Sequence, residues 1–341
     1  MKRLLDRSSS PRLIFLTVCL LVLFRVRASS PLNAEESRLY ARVRAAQDAL
    51  WAEMEERGEA DAQSDPDKTG FIGVEWSVTT TTLGSPESKR NACDPLWAAQ
   101  CLRWFEELGL KTGDRIVVLS SGSFPGMLYS VLAAAESRGL QIDLVVSLGS
   151  STWGANRPAA PWPVMEGILR RFLFLSTRPV FYTLGGGGEN GGGMPEEGVA
   201  ALVRAARASG VKLFRSSSLW DIVQRKIELI TVEVRLVVNI GGALSNLGRD
   251  ESVISLRNGL LFPKDAVGDG IIALALKRGV PVLHLLNLRS LAERLGIDFE
   301  TRRPFFKKRP IAFPLTGVLL FVLVLATHQR WTWERERSVE Q

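Results

Sequence analysis

Short apolar runs alternate with longer amphipathic stretches through the middle of this chain. The runs include "RIVVL" from Arg115 and "RLVVNI" from Arg235, and stretches such as "PGMLYSVLAAAESRGL" from Pro125 lie between them. Near-continuous apolar runs are typical of strands that helices cover on both faces. The pattern therefore predicts an α/β domain over residues 68–300, with a mostly parallel, doubly wound sheet.

Two segments extend this pattern on its N-terminal side. Residues 35–62 predict a charged helix and linker, because Leu39, Val43 and Leu50 recur at helical spacing. This helix is either a stalk or the first element packed on the domain. The segment "GFIGVEWSVTTTTLG" (residues 70–84) predicts a strand that ends in a threonine run.

Both ends of the chain carry an apolar segment. A basic tail (residues 1–12) precedes residues 13–28, which predict a transmembrane anchor, with a cleaved signal peptide as the alternative. Residues 310–328 predict a transmembrane helix, followed by a tail over residues 329–341. The basic N-terminus favours a two-pass protein of the cell membrane, in contact with lipid, whose central domain is extracytoplasmic. The basic residues between 302 and 309 argue for the opposite orientation.

Charge and cysteine content narrow the classes of partner. The formal net charge of +7 favours acidic partners, but no nucleic-acid-binding motif occurs, so we predict no nucleic-acid partner. Three cysteines without CxxC spacing give no zinc site. Cys93 and Cys101 form either a disulfide, if the domain is extracellular, or two buried thiols.

The glycine-rich turn "GGGENG" formally matches a dinucleotide-binding motif. The match fails because the next helix begins only near Pro195 and no acidic residue follows at the distance that would hold a ribose. A flexible loop is the better interpretation, and we predict no cofactor and no metal.

Four turns that follow predicted strands share small, hydroxyl-bearing or glycine residues. Glycine lets the backbone approach a ligand, and the first N–H groups of a following helix favour an anion. Because parallel strands end at one edge of a sheet, these turns predict an anion-binding cleft there. The candidate ligand-binding residues in these turns are Ser121, Gly122, Ser123, Ser150, Ser151, Gly154, Asn156, Gly186, Gly241 and Gly242.

A polar stretch before the first of these turns adds further candidates for binding an acidic ligand. Hydroxyls would donate hydrogen bonds and the lysine would neutralise charge. The alternative is a threonine-rich strand edge followed by a solvated turn. The candidates are Ser77, Thr79, Thr80, Thr81 and Lys89.

A serine nucleophile is the sharper catalytic hypothesis. Ser123 with Asp269 and His284 would follow the chain order of the α/β-hydrolase triad. Against it, both glycines of the nucleophile-elbow motif are missing around Ser123. A lone histidine in a strand is also more often a hydrogen-bonded structural residue.

Several motifs together resemble the poly-gamma-glutamate system protein family. They are "GVEWSVTTTTLGSPESKRNACDPLWAA", "SSGSFPGMLYSVLAAAES", "SLGSSTWGANRP", "VVNIGGALSNLG" and "GVPVLHLLN", and the resemblance covers roughly residues 70–298. The glycine run Gly185–Gly193 is longer than the family pattern leads us to expect. Members of that family accompany the ligase and membrane subunits that make and export poly-γ-glutamate.

The resemblance implies a membrane-anchored accessory component that binds poly-γ-glutamate or its glutamyl ends and works beside the synthase membrane subunits. It supplies no catalytic residue, so two other functions stay open. One is a serine-dependent hydrolase or transferase that trims, releases or attaches the polymer. The other is a non-catalytic structural subunit of the synthase.

Overall fold

The structure, a computed structural model, describes residues 29–299, 304–307 and 337–338. The chain divides into two compact units: Leu32–Ala292, and Met1–Pro31 together with Glu293–Gln341. The predicted basic tail (1–12) and apolar segments (13–28 and 310–328) lie outside the described residues, as does most of the predicted tail 329–341. Among the helices that are described, none is long and apolar enough to cross a membrane.

The described strands and helices are numbered here in chain order. The strands are β1 (Ser29–Pro31), β2 (Thr80–Thr82), β3 (Arg115–Ser121), β4 (Gln141–Ser147), β5 (Ser150–Ser151), β6 (Pro179–Thr183), β7 (Val234–Ile240), β8 (Gly259–Leu261), β9 (Val282–Leu285) and β10 (Phe305–Lys307). The α-helices are α1 (Ala34–Glu56), α2 (Pro86–Asn91), α3 (Leu96–Glu107), α4 (Pro125–Ser137), α5 (Trp162–Arg171), α6 (Glu196–Ser209), α7 (Leu219–Ile227), α8 (Leu244–Leu247), α9 (Ile271–Lys277) and α10 (Leu288–Leu295).

A six-stranded sheet forms the centre of the unit Leu32–Ala292. Its strand order is β6-β4-β3-β7-β9-β8, and every neighbouring pair is parallel except β8 and β9. The prediction of an α/β fold with a mostly parallel sheet is therefore confirmed. In the other unit, β1 and β10 pair as an antiparallel ribbon.

The apolar runs form strands because alternate side chains are buried on opposite faces of the sheet. Val117, Leu119 and Val237 lie in one core cluster with residues of α7 and α9. Ile116 and Val118, which alternate with them along β3, are also fully buried. The chain moves from β3 to β4 and β6 in one direction and from β7 to β9 in the other. Because crossovers between parallel strands are almost always right-handed, this order is expected to place the connecting helices on opposite faces of the sheet.

Helix α1 belongs to the domain and is not a detached stalk. Its side chains Leu39, Val43, Ala46 and Leu50 are buried, and the helix contacts α3, α4 and α5. A capping box between Asn33 and Glu36 begins the helix. Its N-terminal end is also fixed by Glu36, which accepts from Arg103 Nε at 2.6 Å.

The predicted strand over residues 70–84 is wrong for most of its length. Only Thr80–Thr82 is a strand, and it pairs with β5, outside the six-stranded sheet. The backbone before it has other partners: the Asn156 amide binds both the N–H and the carbonyl of Val74. The Val74 carbonyl also accepts from Trp153 N. A strand ladder cannot form where these groups are already bonded.

Cys93 and Cys101 are both buried thiols, so the alternative of a disulfide between them does not hold. Burial raises the pKa of the Cys101 thiol far above its ordinary value, which makes it unreactive.

Candidate functional site

The chain adds strands on one side of β3 and then on the other, so the strand order reverses between β3 and β7. In open α/β sheets, ligands bind beside the carboxyl ends of the strands at such a point. We call this end of the sheet the carboxyl edge; Ser121 ends β3 there and Gly241 follows β7. Gly241 has φ +85°, and a Cβ on it would lie 2.3 Å from Ser121 Oγ. The two turns therefore meet in direct contact.

Other glycines of the predicted cleft also bring main chains together. A Cβ on Gly122 would lie 2.6 Å from Leu148 O, and one on Gly154 would lie 2.9 Å from Ser123 Cα. Gly186 packs the glycine-rich turn against itself, since its Cβ would lie 2.4 Å from Gly192 O. The sequence predicted that these glycines open the edge to a ligand, whereas at these positions they allow close packing between turns. Gly242 is less crowded, with leucine methyl groups at 3.6 and 3.7 Å from its would-be Cβ.

The predicted hydroxyl candidates before Lys89 are used within the protein. Ser77 Oγ and Thr79 Oγ1 donate to Asn156 O, the latter at 2.8 Å, and Thr80 Oγ1 accepts from Asn156 Nδ2 at 2.9 Å. Thr81 Oγ1 donates to Ser150 O at 3.1 Å. These contacts join the segment before β2 to the turn after β4, so they shape the edge and leave few donors for a ligand.

Lys89 is the exception among these candidates. Its side chain is only 3% exposed, although it carries an ammonium group. The Nζ atom lies 3.6 Å from the centroid of the Phe124 ring, a cation–π contact. Nζ forms no hydrogen bond or ion pair with another described residue, and its charge interaction with Cys93 favours the protonated form. A buried ammonium without an acceptor is costly, because burial removes its hydration.

Ser151 lies beside Lys89 and has an equally incomplete set of partners. Its Oγ is buried without a hydrogen-bond partner. Gly84 joins the two residues: a Cβ there would lie 3.0 Å from Ser151 Oγ and 3.2 Å from Lys89 Cε. The absence of a side chain at Gly84 therefore leaves room for both.

Ser123 and the start of α4 complete this group. Ser123 is half-buried, and its Oγ accepts from Ser151 N at 3.0 Å. Helix α4 begins directly after it and has no side-chain cap at Phe124. The first N–H groups of a 13-residue helix carry partial positive charge. We refer to Lys89, Ser123, Phe124, Ser151 and Gly84 together as the Lys89 site.

The electrostatics of this site favour a negative ligand. Burial lowers the pKa of Lys89 from its ordinary 10.5 to about 7, while the nearby Cys93 opposes that change. An anion placed against Nζ would restore the pKa, because an opposite charge favours the protonated form. Perturbed lysines of this kind are typical of functional positions.

The three residues of the predicted serine triad are not joined by hydrogen bonds in the described part of the chain. His284 is buried, and its Nδ1 lies 3.0 Å from Asn239 Nδ2. Because Asn239 Oδ1 accepts from Asn246 Nδ2, the Asn239 amide nitrogen faces the histidine and Nδ1 is the acceptor. A triad requires the opposite tautomer, with Nδ1 donating to a carboxylate. Asp269 Oδ1 instead accepts from the main-chain nitrogens of Arg249 and Asp250.

A buried ion pair at the same edge escaped the sequence analysis. Glu189 extends from the glycine-rich turn into the interior, where its Oε1 lies 2.9 Å from Lys226 Nζ on α7. Both side chains are 1% exposed. The carboxylate also accepts from Ser147, Thr183 and Ser245, whose hydroxyls lie at the ends of β4 and β6 and in α8. A single acidic residue inside a glycine run was the only sequence signal.

Glu189 is ionised in this setting. Burial alone would raise its pKa, but the Lys226 ammonium and the hydroxyl donors lower the pKa to about 2. Glu189 has φ +57°, a conformation that a non-glycine residue adopts only when its surroundings fix it. The pair therefore anchors the glycine-rich turn to the sheet.

Among the residues that the structure describes, no group of three histidine, cysteine or carboxylate side chains could hold a metal ion. Neither protein-family models, curated proteins nor solved structures yield a match to this chain.

Proposed function

We propose that this protein is an accessory component of a poly-γ-glutamate synthesis and export system, and that it binds a carboxylate of the polymer, or of its glutamyl ends, at the Lys89 site. The observation that supports this proposal is Lys89, a residue only 3% exposed whose ammonium contacts the Phe124 ring, beside Ser151 Oγ, which is buried without a hydrogen-bond partner. The identity of the polymer comes from the sequence resemblance.

A carboxylate suits these groups chemically. It accepts hydrogen bonds through two oxygens, so it can bind the ammonium with one and the Ser151 hydroxyl with the other. The start of α4, which follows Phe124 and has no side-chain cap, adds partial positive charge near these groups. A neutral or cationic ligand would leave the buried ammonium without compensation.

Two variants test this function. In Lys89→Met, isothermal titration with a short γ-glutamyl oligomer should show affinity at least about tenfold weaker, because a hydrogen bond to a charged group is lost. Ser151→Ala should also weaken binding and leave the fold intact, since its hydroxyl has no partner within the protein. The matched control is Lys111→Met, at an exposed lysine on the same domain.

Stability measurements separate this role from a structural one. Lys89→Met removes the cost of burying an ammonium, so the variant should be more stable than the parent while it binds more weakly. Normal binding by Lys89→Met would refute the proposal. A loss of stability in Lys89→Met would mean that Lys89 serves to stabilise the fold through its cation–π contact with Phe124. If the parent protein cleaves the oligomer and Ser123→Ala stops cleavage, the protein belongs to the hydrolase or transferase class instead.

The proposal includes the apolar segments 13–28 and 310–328 as anchors in the cell membrane, with the central domain extracytoplasmic. The domain offers a clean labelling position, because Val232 is fully exposed and Cys93 and Cys101 are buried. Val232→Cys in intact cells should react with a membrane-impermeant maleimide. Labelling only after lysis would place the domain in the cytoplasm.

A further inference from the structure

A second positively charged feature lies between α5 and α6, in the unit Leu32–Ala292. It is a groove of about 340 Å³, and four arginine side chains line it. We call it the arginine groove. The arginines are Arg57, Arg170, Arg171 and Arg178.

These guanidinium groups exceed the negative charge available to them. Arg57 and Arg171 share one carboxylate, that of Glu53. Arg178 donates to a main-chain carbonyl, Ser209 O, at 2.6 Å. The Arg170 guanidinium forms no hydrogen bond or ion pair with another described residue, and its Nε is buried without an acceptor. Since arginine stays protonated at any physiological pH, the groove carries a permanent positive excess.

The carboxyl group in the groove itself adds little negative charge. Glu166 is buried and accepts from the Tyr182 hydroxyl at 2.7 Å. Burial raises the pKa of Glu166 to about 7, although Tyr182 and the charges of Arg170 and Arg178 act in the opposite direction. The group is thus partly protonated near neutral pH and neutralises less than one guanidinium.

Small residues leave the groove open between the helices. Gly167 faces it from α5, and Ala205 and Ala208 face it from α6. A Cβ on Gly167 would meet no atom within 4 Å, so the space above this helix is empty of protein. The guanidinium groups come from three separate segments: Arg57 follows α1, Arg170 and Arg171 end α5, and Arg178 precedes β6. An extended chain can contact several of these segments at once, which a compact ligand cannot.

We propose that the arginine groove binds an extended stretch of a polycarboxylate chain, with guanidinium groups pairing with successive carboxylates. Arginine forms paired hydrogen bonds with carboxylates, which a single ammonium cannot do. The identity of the polymer as poly-γ-glutamate rests on the proposed function above. The groove would then hold the body of a chain, and a long polymer would bind more tightly than a short oligomer through the added contacts.

Gly167 gives a test that does not depend on disturbing the arginines. Gly167→Glu places a carboxylate above the groove, where its Cβ meets no atom within 4 Å, so it should reduce the affinity of full-length protein for long poly-γ-glutamate by tenfold or more. Gly167→Ala adds a methyl group at the same position without charge, so it should reduce affinity far less than Gly167→Glu while raising the melting temperature, because alanine favours helix over glycine. A combined Arg170→Gln and Arg178→Gln variant should match the loss, and Arg204→Gln, on the exposed side of α6, is its control.

The length of the ligand separates this proposal from the function of the Lys89 site. Groove variants should weaken binding of the long polymer and leave binding of the short oligomer intact, whereas Lys89→Met should weaken the short oligomer. If Lys89→Met binds the short oligomer normally while the groove variants still weaken binding of the long polymer, the proposed function is refuted and the groove proposal stands. Unchanged long-polymer affinity in Gly167→Glu overturns the groove proposal. The groove proposal is also overturned if the protein binds a single-stranded nucleic acid more tightly than a polycarboxylate of equal charge at the same salt concentration.

Discussion

A buried lysine without an acceptor is the most informative residue of this protein. Burial works against its charge, and in the described structure the face of the Phe124 ring and the nearby Cys93 compensate only in part. Residues that cost stability in this way are typical of functional positions. Lys89 should therefore leave a signature in the stability of the ligand-free protein, independent of any binding measurement.

We expect Lys89 to make stability rise with pH above neutrality. Its pKa is about 7 in the folded protein and 10.5 ordinarily, so between these values the unfolded chain binds more protons than the folded one. The free energy of unfolding should then increase with pH, by at most about 1.4 kcal/mol per unit from this group. Urea denaturation of the parent and of Lys89→Met at pH 7, 8 and 9 checks this. The difference in free energy of unfolding between Lys89→Met and the parent should shrink as pH rises. A difference that stays constant from pH 7 to pH 9 would contradict this prediction.

His284 should contribute in the opposite part of the pH range. Burial lowers the pKa of His284 from 6.5 to about 4, so between these values the unfolded chain binds the extra proton. Stability contributed by the neutral imidazole is complete above pH 6.5 and falls as pH drops toward 4. His284→Gln retains an acceptor for Asn239 and cannot titrate. Denaturation between pH 4 and 7 should give a flatter profile for this variant, and an unchanged slope would assign the acid sensitivity to other groups.

The glycine-rich turn after β6 is held by one side chain, and this determines how the turn responds to mutation. Glu189→Gln removes the charge that compensates Lys226, and breaking a buried pair in this way costs about 3–5 kcal/mol. Denaturant unfolding should show that loss, and amide hydrogen exchange over residues 184–193 should become faster. The double variant with Lys226→Met should be less destabilised than the sum of the two single variants. Additive losses would mean that the pair is not coupled.

The main strands of the sheet could be predicted from the sequence because they are long, apolar and buried on both faces. Gly259–Leu261 was missed, since three residues carry too little periodicity to stand out. The segment before the threonine run was predicted to belong to the same strand, but the Asn156 amide, distant in sequence, hydrogen-bonds the backbone of Val74. Tertiary hydrogen bonds of this kind have no local sequence signal.

For the candidate site too, the sequence predicted the features that depend on local residue type and missed those that depend on contacts between distant residues. The turns at the carboxyl edge and the inclusion of Lys89 came from residue type and strand order. That Ser77, Thr79 and Thr80 would bind Asn156 depends on packing that sequence spacing does not encode. The Glu189–Lys226 pair joins residues from a turn and a helix, 37 positions apart, and helix α7 itself was not predicted.

The domain as a whole begins earlier than the α/β pattern suggests, because α1 covers one side of it. The helix lies against α3, α4 and α5, and the unit that contains the sheet begins at Leu32. A Cβ on Gly70 would lie 2.8 Å from the backbone nitrogen of Trp51, so the chain after the helix returns to contact it closely. The Lys89 site and the arginine groove are thus held by a body that includes residues long before the first sheet strand.

If α1 is part of the core, truncating its buried face should destabilise the whole domain. Leu50 is fully buried, so Leu50→Ala should reduce the free energy of unfolding by about 2–5 kcal/mol. Glu55→Ala, at an exposed position of the same helix, should change it by less than about 0.5 kcal/mol. Unfolding followed by tryptophan fluorescence and by circular dichroism should shift together, because helix and sheet share one cooperative core. If Leu50→Ala left the unfolding transition unchanged, or if the circular dichroism signal of helix were lost before the tryptophan fluorescence changed, α1 would be a separate stalk and not part of the cooperative core.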